Sequence, residues 1–280
     1  MTVARADAFD VPSFLREVNR RYREGSGEDV PAFLRGELAR ARSLGSEDGV
    51  IAVLNELGSV CRVRGELPEA EALYLETVAL LDRRAGDVSL ARATARINLG
   101  DVYVAWGRNI DAVRIFDEAE ALISCPEKHP YELSAICNNR SAAWRGQGRL
   151  SEARRDLRRA DALLDEVPGT QGERAVNGIN LAEILLQEGR LDEAEATIRP
   201  VLLAYETLSG GRDIHRSCAL ATAARIAWLH GDYELASERY GGAVESLADK
   251  LGESATVAAL RTEQARVDRL RNRLKGHGGV

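Results

Sequence analysis

Apolar residues along most of the chain recur three and four positions apart. Tyr74, Val78 and Leu81 stand at i, i+4 and i+7, which puts them on one face of a helix. These apolar runs are punctuated at a constant interval. Gly65, Gly107, Gly148, Gly189 and Gly231 are separated by 42, 41, 41 and 42 residues. Five residues after each stands an alanine: Ala70, Ala112, Ala153, Ala194 and Ala236. Four further on comes a large apolar side chain: Tyr74, Phe116, Leu157, Ile198 and Tyr240. Seven before each glycine lies a small residue: Gly58, Gly100, Ser141, Ala182 and Ala224. A fixed period of this length marks a repeat array.

Each column has a physical reading. The periodic glycine ends a first helix, where a left-handed residue is needed and a side chain costs energy. A short turn then brings a second helix back antiparallel. The small residue and the alanine let the two backbones approach, and the large apolar residue fills the space beside them. Five such pairs, with further helices at both ends, predict an all-α chain of about thirteen helices and no sheet.

The ends depart from the repeat, as the caps of a repeat array do. DVPSFLREVNRR from Asp10 and DVPAFLRGELAR from Asp29 are two versions of one helix start. In each, Asp is the cap and Pro lies in the first turn. Residues 1–47 are read as an N-terminal helical cap, 48–252 as five repeats, and 253–280 as a capping helix with a short tail, all in one continuous solenoid. Ser254–Leu274 reads as one long helix. Its stripe of Leu260, Val267, Leu270 and Leu274 could pack on the fifth repeat or form a homodimer with a second copy.

The pattern resembles the tetratricopeptide repeat. GELPEAEALYLETVALL, GRLSEARRDLRRADALL and GRLDEAEATIRPVLLAY look like its second-helix signature. NLGDVYVAWG looks like the first-helix signature, carried by Asn98, Leu99, Gly100, Tyr103 and Gly107. The standard period is about 34, so the surplus here is expected between repeats, in SCPEKHPYELSA and LSGGRDIHRSCA. EKHPYELSAICNNRSAAW is similar to kinesin-light-chain-type repeats, and long-period arrays also resemble those of bacterial peptide-sensing regulators. The resemblance implies a right-handed superhelical solenoid of antiparallel helix pairs, with first helices lining a concave face.

One column carries chemistry. Nine residues before each periodic glycine stand Glu56, Asn98, Asn139, Asn180 and Thr222. Asparagine is a poor helix-interior residue, so three copies at one position need a cause. An amide offers donors and acceptors that match a peptide backbone whatever its side chains. The same chemistry would serve a bond to the neighbouring repeat that only orients helices. Asn55, Asp101, Asn138 and Glu183 occupy nearby positions of the same helices. Arg140 stands where Leu57, Leu99 and Leu181 stand in other repeats. If buried, it needs an acidic partner; with Arg96, Arg145 and Arg174 it could make the mid-groove basic, or it could reach solvent. The candidate ligand-binding set is Asn55, Glu56, Asn98, Asp101, Asn138, Asn139, Arg140, Arg145, Asn180 and Glu183.

Composition narrows the function. The net charge is −6, the opposite of the usual nucleic-acid-binding balance. The arginine-rich C-terminal helix reads as the solvated face of a cap. Lys128, Lys250 and Lys275 are the only lysines, so the Lys/Asn carboxylate clamp for chaperone tails is not recognisable. Cys61, Cys125, Cys137 and Cys218 are too widely spaced for a metal or redox motif and read as mostly buried, reduced thiols. His129, His215, His230 and His277 have no metal-ligand spacing, and no catalytic constellation converges. With no transmembrane stretch or export signal, the expectation is a cytoplasmic, non-enzymatic regulator or adaptor without metal or cofactor. Its groove would hold a protein or peptide partner. The alternative is a sensor of a small molecule or signalling peptide in the same groove.

Overall fold

In the computed structural model, residues 8–24, 30–208, 214–251 and 255–277 are described. Among them are thirteen α-helices, one short 3-10 turn at Pro126–Lys128 and no strand. The chain divides into two compact units, Met1–Gln147 and Gly148–Val280. The repeat period does not mark this division, which falls between the two helices of the third repeat.

Unit 1 holds α1 (Val11–Glu24), α2 (Val30–Ser43), α3 (Glu47–Val63), α4 (Leu67–Arg83), α5 (Ser89–Ala105), α6 (Asn109–Ala121) and α7 (Pro130–Gly146). Unit 2 holds α8 (Leu150–Leu164), α9 (Gln171–Gln187), α10 (Leu191–Leu208), α11 (Ile214–Leu229), α12 (Tyr233–Leu251) and α13 (Ala255–His277). Within each unit, helices adjacent in sequence pack together, and the first helices of successive repeats also touch: α3 with α5, α5 with α7, α9 with α11.

The periodic columns do what their chemistry demands. All five glycines have positive φ, from 72° to 82°. After α3 the Glu66 amide donates to the Cys61 carbonyl at 2.8 Å and the Gly65 amide to Arg62 at 3.1 Å; together these bonds close the left-handed helix end. The five alanines are fully buried, and the large residues from Tyr74 to Tyr240 are at most 4% exposed. A β-carbon on Gly100 would lie 2.5 Å from the Phe116 ring, and one on Gly58 would lie 2.8 Å from Tyr74. The ring therefore rests directly on the helix opposite. The Tyr74 hydroxyl donates to the Asn55 carbonyl at 3.2 Å, which satisfies its polar end where the ring is buried.

Two expectations need adjustment. The surplus over a 34-residue period is shared: SCPEKH lies between α6 and α7 as expected, while PYELSA belongs to α7 and α3, α4, α5, α7 and α9 each run 17 residues. Of LSGGRDIHRSCA, residues 209–213 lie outside the described residues. Cys61 and Cys137 are buried, but Cys125 is only partly covered and Cys218 is exposed.

At the ends, the Asp10 carboxylate accepts from the Ser13 amide at 3.3 Å at the start of α1, as a capping Asp should. The second start residue, Asp29, lies outside the described residues. Part of the stripe on α13 packs on its own chain: Val267 is 2% exposed in a cluster with Ala236 and Tyr240, with Leu260 against it. Ser237 donates to Asp268 at 2.6 Å, and Arg266 stacks over Trp228 at 5.2 Å.

Candidate functional site: the asparagine column

Three column residues meet the preceding repeat's first helix. On unit 1, Asn139 Nδ2 donates to Asp101 Oδ1 at 2.8 Å. One repeat earlier, Asn98 Nδ2 reaches Asn55 Oδ1 at a longer 3.5 Å. On unit 2, Thr222 Oγ1 donates to Glu183 Oε1 at 2.8 Å, and Arg225 holds the other oxygen of Glu183 at 2.5 Å. Asp101 and Glu183 both stand six residues before a periodic glycine, so column residue and acid form a rung between successive first helices. A side-chain amide has two N–H groups and an oxygen with two lone pairs. The bond to Asp101 uses one N–H of Asn139 and orients the rest of the amide.

Burial raises the carboxyls of this face. Desolvation pushes Asp101 up to about 6, against the pull of Arg62 and of the Asn139 hydrogen bond. Glu56 is raised too, by desolvation alone. The unit 1 column is therefore flanked by two carboxyls for which a cation from outside would be a favourable partner. Arg62 on α3 was not singled out from sequence. Its only signal there is a place three residues before Gly65, on the last turn of a first helix.

The arginines sort differently from the column. Arg140 is 7% exposed, and its guanidinium pairs with Asp117 and Glu120 of α6 at 2.7 Å each. Arg140 therefore does not reach solvent, and the acidic partners that a buried arginine needs are present; they neutralise the charge expected to make the mid-groove basic. Arg96 pairs with Asp82 at 2.8 Å, and Arg174 with Asp161 at 2.8 Å and Asp165 at 2.9 Å. Arg145, near the end of α7, is half-buried. The Asn138 carbonyl accepts from the Ser141 hydroxyl at 2.6 Å. Asn180 is half-buried on α9 of unit 2.

A cluster that sequence spacing did not reveal is Cys61, Glu66 and Glu69, whose ligand atoms lie within 4.8 Å of one another. Arg35 already serves it, donating to Glu69 at 3.0 Å and lying 3.9 Å from Glu66. Burial and the neighbouring carboxylates push the Cys61 thiol up to about 12, which keeps it protonated.

The tetratricopeptide-repeat pattern matches residues 49–123 and again 133–160. The chain is a tetratricopeptide repeat protein. Solved structures with the same fold include BtubC (BKLC) of P. vanneervenii, with 17% identity over 82% of this chain and 94% of that one, at a TM-score of 0.67. Nearly identical TPR-like repeats assigned to a kinesin light chain of Podosopora anserina share 21% identity over 76% of this chain and 98% of that one, at 0.56. A thermophilic TPR protein of Thermus thermophilus shares 17% over 76% of this chain and 96% of that one, also at 0.56. At these identities the likeness is one of fold. No curated protein sequence matches the chain significantly. Among the described residues, no helix of this tetratricopeptide repeat protein is long and apolar enough to cross a membrane.

Proposed function

We propose that this protein is a non-catalytic cytoplasmic scaffold or regulator whose α3, α5 and α7 face holds an extended segment of a protein partner. The tetratricopeptide fold supports a protein-interaction scaffold in general. The observation that carries the finer reading is the Asn139–Asp101 rung at 2.8 Å. It orients an amide whose second N–H and oxygen can pair with a bound main chain. Asn55 and Asn98 would read the same segment, and Asn138 and Arg145 would flank it. Glu56 and Asp101 would favour a basic residue in the ligand, with Arg140 supporting α7 from behind. On unit 2, Asn180 would face the segment beside Glu183, which Thr222 and Arg225 already hold.

A photo-crosslinking residue in place of Asn98, carried by the protein in its native host, should capture the partner segment for identification by mass spectrometry. Calorimetry with that segment should then show Asn139→Ala binding about tenfold or more weakly, since a buried backbone group loses its partner. Unchanged affinity in Asn98→Ala, Asn139→Ala and Asn180→Ala, with a lower melting temperature, would make the column purely structural. Capture of a metabolite and no peptide would favour the sensor alternative. A homodimer through α13 would rely on Leu274, which is 52% exposed. A dimeric mass in light scattering that Leu274→Glu returns to monomer would establish it.

A further inference from the structure

Unit 2 contains a cleft of about 440 Å³ bounded by α8, α9 and α10. That volume is in the range of small-molecule sites. The repeat offers an internal reference for it, because the same junction occurs between α6 and α7 in unit 1, 41 residues earlier. There Phe116, Ile136 and Cys137 are fully buried, and Arg140 reaches from α7 to Asp117 and Glu120 of α6.

In unit 2 each of those positions has changed. Phe116 corresponds to Leu157, Ile136 to Asn177, Cys137 to Gly178 and Arg140 to Leu181. All four replacements are smaller, and one of them, Asn177, is also polar. All four line the cleft, although the room given up at Gly178 is taken by Val201, whose Cγ2 would lie 2.5 Å from a β-carbon there. Turning by about 100° per residue, α9 presents Gly178 and Leu181 on a different face from Asn180 and Glu183, so the cleft is separate from the column.

Its chemistry is asymmetric. Leu157, Leu181, Pro200, Val201 and Ala204 supply apolar walls. The acids that hold Arg140 in unit 1 have also changed: Asp117 corresponds to Arg158 and Glu120 to Asp161. Asp161 is taken by Arg174 at 2.8 Å. Arg158 is exposed and lines the cleft, with no ion pair to any described residue. A planar guanidinium at the edge of an apolar cleft matches a carboxylate through two parallel N–H bonds.

We propose that this cleft binds a small organic anion with an apolar body, its carboxylate held by Arg158 and its hydrocarbon part lying between α8 and α10. The probes are octanoate, octanol and octylammonium, titrated by calorimetry into the full chain. Octanoate should bind, with the alcohol and the amine about tenfold or more weaker, as a charge-assisted hydrogen bond is lost. Arg158→Ala, on the surface, should weaken octanoate by a similar factor and leave the unliganded melting temperature unchanged. Ala204→Phe should fill the cleft and abolish binding without lowering that temperature. The proposal fails if octanoate gives no binding up to millimolar concentration. It also fails if octanol binds as tightly as octanoate, or if both variants bind octanoate like the parent chain.

Discussion

At the scale of single residues, Asp101 is the most informative side chain. It receives the amide of Asn139, yet burial raises its carboxyl from an ordinary 3.8 to about 6. A carboxyl raised in the fold stabilises the native state when protonated. That contribution is complete below pH about 4 and lost as the pH climbs through about 6. Asp101→Asn keeps an acceptor for Asn139 and removes the ionisation. It should therefore leave stability unchanged at pH 4 and raise it by about 1–3 kcal/mol at pH 7, at about 1.4 kcal/mol for each tenfold in proton affinity. Urea midpoints at the two pH values check this; equal midpoints for variant and parent at pH 7 would count against it. A basic ligand beside Asp101 should for the same reason bind more weakly below pH 6, because protonation removes its counter-charge.

At the scale of elements, the helix pair is held by two uses of glycine. Gly100 leaves room for the Phe116 ring, which would lie 2.5 Å from a β-carbon. Phe116 is fully buried and has nowhere to retreat, so Gly100→Leu should cost about 1–3 kcal/mol or more through overpacking. Gly65 makes no such contact, but its φ is 79°, a region costly to any residue with a β-carbon. Gly65→Ala should cost about 1–2 kcal/mol through the backbone alone. Urea midpoints for the two variants separate the mechanisms, because adding Phe116→Ala should relieve part of the first and none of the second.

At the scale of the whole molecule, stability in a repeat array is close to a sum over helix pairs and their neighbours. Damage to one pair should then be felt locally. Hydrogen exchange of Gly100→Leu should show protection falling first in α5 and α6 of unit 1, with α11 and α12 of unit 2 retaining theirs. A uniform fall across both units would show that the chain unfolds as one cooperative body.

The all-α class, the helix pairs, the glycine-ended turns and the buried alanine column were legible in the sequence. Each depends on short-range stereochemistry repeated five times, and repetition separates a signal from chance. The asparagine column was legible for the same reason. The partners of its side chains were not, because Asn139 finds Asp101 across 38 residues through the lateral placement of helices. Arg140 shows the same limit: its misfit among leucines is plain in the sequence, but only packing set Asp117 and Glu120 at 2.7 Å from it. The cleft at Leu157 and Leu181 lies further still from the one-dimensional pattern. A leucine among leucines carries no mark, and a void exists only relative to the volume that neighbouring helices leave to be filled. Period and polarity determined the elements; tertiary packing decided which side chains are spent on one another and where space remains.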